Sequence, residues 1–161
     1  MTVIVFVWTK TKTGHASLKI EGHSDLDKED KRNTYVSFYP IPRGGTQPSV
    51  IEGAFTGLRS TSITMLQDSN AFKNNPDFAS APISGLDENA MIKYWQDARG
   101  SGTQWSLLRS NCADMVFKIL EAGGAAKKSL SAGMIIARGK IGIVRPKDCI
   151  ELAKALEGSK I

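Results

Sequence analysis

The sequence predicts an α+β fold in which a small antiparallel sheet packs against two or three helices. Three observations lead there. Short β-branched or alternating runs crowd residues 2–40. Helical spacing with clear stop signals takes over from Asp87 onward. No repeat or linker divides the 161 residues, so 1–161 reads as one domain, long enough to bury one sizeable core.

Taking the elements in order, "TVIVFVW" (2–8) is a β-branched run bounded by the polar loop "TKTKTG", the pattern of a buried strand. "HASLKI" alternates, with Ala16, Leu18 and Ile20 on one face and His15, Ser17 and Lys19 on the other. "DLDKEDKR" (25–32) mixes its charges without spacing and reads as a solvated loop. "TYVSFYP" is a further strand, with Tyr35, Ser37 and Tyr39 on one side, Val36 and Phe38 on the other, and Pro40 as its end. From 41 to 85 the chain reads mostly as loop. "PIPRGGTQPSV" is rich in Pro and Gly, "RSTSITML" is a candidate short strand, and "QDSNAFKNNPDFASAPISG" reads as irregular. Long loops of this kind often shape a cleft.

Asp87 is the expected N-cap of a helix carrying Met91, Trp95 and Ala98 on one face and stopped by "RGSGT". Ser110 is the expected N-cap of the next, in "SNCADMVFKIL", with "GG" at 123–124 as its stop. "KIGIVRP" reads as a last short strand. "PKDCIELAKALEG" reads as a last helix, with Pro146 near its start and Gly158 at its end.

Composition narrows the function classes. The chain carries a net charge of +5 and a pI near 9.3, concentrated late: residues 111–161 hold 9 Lys+Arg against 5 Asp+Glu. That suits anionic polymers, cell wall included. No basic stripe alternates with aromatics and no nucleic-acid motif appears, so nucleic acid is not expected as a partner. No apolar run is long enough to span a bilayer, so stable membrane insertion is not expected either. Val3–Trp8 is too short for a signal core and has no basic segment before it. The expectation is a chain with no export signal of its own, which another machine must carry if it acts outside the cytoplasm. No Cys/His pair has zinc-site spacing, and neither a metal nor a cofactor is expected.

Two cysteines remain. Cys149 recurs with Leu152, Ala153 and Leu156 at helical spacing and reads as core. Cys112 is open to two readings. It shares a helix face with Val116, Ile119, Leu120 and Gly123, as a core cysteine would. It also falls in the first turn of a helix, where unpaired N–H groups and the dipole favour a thiolate. A histidine partner would make that thiolate a nucleophile. His15 opens an alternating strand, whereas His23 sits in the turn-like "EGHSD".

"GHASLKI", "YVSFYP" and "WSLLRSNCADMVFKILEAGG" follow one another in an order that resembles circularly permuted papain-like (NlpC-like) cysteine hydrolases. These include the PPPDE peptidases and lecithin retinol acyltransferase-like enzymes, in which the histidine strand precedes the cysteine helix. The trio also resembles bacterial toxin domains, among them effectors of type VI secretion systems. The resemblance implies Cys112 as nucleophile and His15 as general base. It places an orienting polar residue on the strand after the histidine strand, where Ser37 is nearest and Tyr39 next. NlpC-type enzymes often have a histidine there, and this sequence does not. The implied activity is a cysteine peptidase or amidase, a thiol hydrolase toxin cleaving peptidoglycan peptides in rival bacteria. Its implied partners are a secretion-machine carrier and a cognate immunity protein. Two alternatives stay open: a cytosol-acting cysteine protease or acyl-ester hydrolase/transferase, and a non-catalytic binding domain with Cys112 in its core.

Overall fold

The alternation of the first 21 residues builds a hairpin. Strands β1 (Thr2–Trp8) and β2 (His15–Glu21) pair antiparallel in a register that sets Trp8 opposite His15 and Thr2 opposite Glu21. The structure is a computed structural model and describes residues 2–10, 13–21, 35–40, 60–62, 64–73 and 75–158. The expected charged loop at 25–32, His23 and the Pro/Gly-rich stretch at 41–50 lie outside the described residues.

β2 pairs on its other edge with β3 (Tyr35–Val36), placing Leu18 opposite Val36. Strands β4 (Phe38–Pro40) and β5 (Ser60–Ser62) form a separate two-stranded sheet, Tyr39 opposite Thr61. β6 (Phe78–Ala79) pairs with β1. The main sheet is thus open and antiparallel, in the order β3-β2-β1-β6. "TYVSFYP", read as one strand, is therefore two, and Ser37 stands where the chain leaves one sheet for the other.

The α+β class holds, with more helix than the two or three expected. Six helices are described: α1 (Met65–Phe72), α2 (Glu88–Gly100), α3 (Cys112–Ala122), α4 (Ala125–Lys128), α5 (Leu130–Ile141) and α6 (Pro146–Glu157). Asp87 caps α2 by accepting from Ala90 N–H, and Pro146 opens α6, both as the sequence predicts. α1 overturns the irregular reading over 67–72, whereas among the described residues from 73 to 85 only Phe78–Ala79 form a strand. The start of α1 is a capping box: Gln67 N–H donates to the Thr64 hydroxyl at 3.2 Å, and Thr64 N–H donates to the Gln67 side chain at 2.7 Å. "KIGIVRP" is not a strand. α5 runs through Lys140 and Ile141, and the rest crosses to α6 with Ile143 exposed and Val144 buried.

The two faces of the sheet are covered differently. Val3, Val5, Val7, Ala16, Leu18 and Ile20 meet Met91, Trp95, Ile119, Leu120 and Leu152 in the main core, under α2, α3 and α6. Phe6, Trp8 and Tyr35 form a second cluster on the opposite face, with Phe72 of α1 packed against it. His15, Ser17 and Ser37 are buried polar residues under that second cover, rather than on a solvated face.

Candidate active site

The site begins at the hairpin. Gly14 has φ of 69°, a left-handed conformation that L side chains rarely adopt, and a Cβ there would lie 3.1 Å from the Trp8 carbonyl oxygen. That turn delivers His15 to the start of β2 with its ring among aromatics. Phe72 stacks on it at 4.9 Å, and Trp8 and Tyr39 lie 5.4 and 6.0 Å away by ring centres.

Cys112 is the first residue of α3, one position closer to the cap than expected. The N-cap is Asn111, not Ser110: its side-chain oxygen accepts from Asp114 N–H, and its amide donates to the Leu107 and Val144 carbonyls, each at 2.9 Å. Asparagine at this position satisfies an open helix N–H and ties the helix start to two loops. α3 packs on β2, and Cys112 and His15, the first residue of each element, come together at that end of the sheet. Their side chains form a hydrogen-bonded, charge-coupled pair.

The rest of the arrangement can be worked out proton by proton. Asp68, fully buried on α1, is the acceptor at the centre. Tyr35 hydroxyl donates to its Oδ2 at 2.7 Å, and Ser37 hydroxyl donates to its Oδ1 at 3.0 Å. Each hydroxyl has a single proton. Ser17, 2.7 Å from the Tyr35 hydroxyl, must therefore donate to it. Ser37, 3.1 Å from His15 Nε2, must accept from that nitrogen. His15 Nε2 also lies 3.2 Å from Asp68 Oδ2. Nε2 is thus fixed as a protonated donor, and Nδ1 is the nitrogen left for the Cys112 sulfur.

Charge follows from this geometry. For His15, burial is the largest single influence and pushes toward the neutral ring. The Cys112 charge and the hydrogen bonds to Asp68 and Cys112 together outweigh it and raise the imidazole to about 9. For Cys112, burial again is largest and favours the thiol. The imidazolium charge, its hydrogen bond and the N–H groups of Ala16 and Ala113 together bring the thiol below its ordinary value. Each partner's charge thus favours the charged form of the other, which poises the pair toward thiolate and imidazolium. Cys149 is the internal contrast: buried on α6, with its S–H toward the Ala113 carbonyl at 3.7 Å, it is pushed well up by burial and by the Cys112 charge. It is the core residue its spacing predicts.

The structure thus brings Cys112, His15 and Ser37 into one cluster and adds Asp68, which sequence reasoning missed. The orienting carboxylate comes from α1, with Ser37 bridging it to the ring. Tyr39 stands beside the ring as an aromatic neighbour. A polarised thiolate, a proton-carrying imidazole and a carboxylate holding it in one tautomer can perform acyl transfer through a thioester. Among the described residues no cluster of His, Cys, Asp and Glu could hold a metal ion. Two clefts, of about 340 and 380 Å³, lie on the far side of α3 and share Phe117, Gly139, Gly142 and Val144; neither is lined by Cys112, His15 or Asp68.

A family model described as the IcsB middle domain matches residues 55–160, more than half of the chain. The chain belongs to the IcsB middle domain family. The matched stretch includes Asp68 and Cys112, while His15 and Ser37 precede it on β2 and at the β3–β4 junction. No curated protein and no solved structure matches the chain.

Proposed function

We propose that this protein is a cysteine-dependent amide hydrolase, a toxin effector of the permuted papain-like kind that cleaves peptidoglycan peptides. One observation carries the reading: Cys112 opens a helix beside His15, whose Nε2 rests on Ser37 and the buried carboxylate of Asp68. The order along the chain, histidine strand before cysteine helix, supports a permuted papain-like arrangement.

The reaction starts from the thiolate–imidazolium form. The Cys112 thiolate attacks the scissile carbonyl carbon, forming a C–S bond and an oxyanion. The imidazolium gives its Nδ1 proton to the leaving amine as the C–N bond breaks. Water then attacks the thioester, His15 takes its proton, and the acid departs as the thiolate is restored. Asp68 and Ser37 hold the ring through both transfers.

The wall as target rests on the resemblance to NlpC-like hydrolases and on the basic charge of residues 111–161. Delivery is by a secretion machine, with an immunity protein guarding the producer. Expression in bacteria with and without a periplasmic signal tests this. Wild type should lyse or round cells when sent to the periplasm, with lost peptide cross-links or shortened stems among the muropeptides. Cys112→Ala should be harmless in either compartment. Toxicity confined to the cytosol with intact muropeptides would replace the wall by a cytosolic protein or acyl-ester substrate. Full toxicity of Cys112→Ala would leave no thiol mechanism.

A further inference from the structure

Helix α5 is apolar on two sides. One side buries Ala132 and Ile136 in the core. The other presents Leu130, Met134 and Ile141, exposed by 83, 67 and 91%, with Ile143 just beyond at 50%. Spaced at i, i+4 and i+11, Leu130, Met134 and Ile141 share one face of the helix. Large apolar side chains scattered singly on a surface need no explanation, but a contiguous stripe marks a contact surface.

The charged residues of the segment that carries the stripe have one sign. Between Glu121 and Asp148 the sequence holds Lys127, Lys128, Arg138, Lys140, Arg145 and Lys147, and no acidic residue. Arg138 and Lys140 reach out of this segment to Glu151 and Glu121, at 2.6 and 2.5 Å. Lys127, Arg145 and Lys147 are exposed. An apolar stripe rimmed by cations is what an anionic bilayer surface recognises: the stripe enters the headgroup boundary while lysine and arginine meet lipid phosphates. α5 has 12 residues, and no described helix is long and apolar enough to cross a membrane. A second copy of the same face would bring like charges together. Nucleic acid would leave the stripe unused.

We propose that the α5 face adsorbs peripherally to anionic lipid membranes. This is independent of the catalytic reading, and its test needs no turnover. The full chain is sedimented with vesicles of phosphatidylcholine alone, and with vesicles containing about 30 mol% phosphatidylglycerol. At low salt, binding to the anionic vesicles should be at least about tenfold stronger and should fall as salt is raised. The triple variant Leu130→Ser, Met134→Ser, Ile141→Ser should lose about tenfold in binding while unfolding at the wild-type temperature, because these side chains face solvent. Lys127→Glu with Lys147→Glu should lose anionic selectivity. Equal binding to both vesicle types, or undiminished binding by the triple variant, would overturn the proposal. So would a dimer in light scattering that the triple variant abolishes, since that would assign the stripe to a second copy.

Discussion

Replacing Asp68 by asparagine keeps the shape of the side chain but removes the one negative charge at His15 Nε2. Of the hydroxyls of Tyr35 and Ser37, 2.7 and 3.0 Å from the two carboxylate oxygens, one can go on donating to the remaining oxygen while the other turns to accept from the new amide, so the fold should survive. The ring cannot compensate. A hydrogen bond to a charged group contributes about 1.5–3 kcal/mol. One pKa unit corresponds to about 1.4 kcal/mol, so the imidazolium should lose roughly one to two units. His15 should then titrate at roughly 7–8 in place of the wild-type value of about 9. The chain has two histidines, so a proton NMR titration of the ring signals, with His23→Gln for assignment, reads this directly. The same shift should appear in Cys112 alkylation by iodoacetamide, as a second rise in rate where the imidazolium loses its proton. Hydrolysis should fall about tenfold to a hundredfold, in step with the lost hydrogen bond. An unchanged His15 titration in Asp68→Asn would refute the proton assignment and return the orienting role to Ser37 alone.

Three further outcomes follow from the same geometry. Iodoacetamide should modify Cys112 in the folded protein at a pH below that of an ordinary thiol and leave Cys149 untouched until unfolding; peptide mass spectrometry separates the two, and equal rates would dismiss the thiolate. His15→Ala leaves Asp68 buried without its ionic partner and should cost about 3 kcal/mol in urea unfolding, with much of that loss restored in the double variant with Asp68→Asn. The raised His15 pKa sets the window: its contribution to stability is fully present below about pH 6.5 and is lost as pH rises through about 9, so the two proteins should converge in alkali. Ser37→Ala removes one acceptor from His15 and one donor to Asp68 but leaves their direct contact at 3.2 Å, so it should slow turnover about tenfold, far less than Cys112→Ala; wild-type rates would show that the bridge is dispensable.

The legible parts of the sequence were those whose signals are local. Alternation placed His15 opposite Ala16, Leu18 and Ile20, and cap residues placed α2, α3 and α6 within a residue or so. What escaped depended on the third dimension. "QDSNAF" is polar throughout, and nothing about Asp68 by itself distinguishes a fully buried carboxylate from a surface one. The Thr64–Gln67 capping box was the available clue, since a helix there puts Asp68 and Phe72 on one face, toward the His15 ring. "KIGIVRP" misled because its apolar residues alternate as in a strand, although Ile141 and Ile143 face solvent. α5 is apolar on its outer as well as its inner side, so no single amphipathic face reveals it.

Helix α1 has a single fully buried side chain, and that side chain is Asp68. Eight residues do not sustain a helix in water alone. What fastens this one is the carboxylate among Tyr35, Ser37 and His15, together with Phe72 against the ring. The helix is thus held as a tethered ligand of the imidazole, and it should loosen when the ring loses its charge. Competence can then be lost by local release of one short segment while the sheet and the main core remain intact. In rising urea or alkali, amide exchange in residues 65–72 should quicken together with the loss of catalysis, ahead of any change in the bulk of the protein.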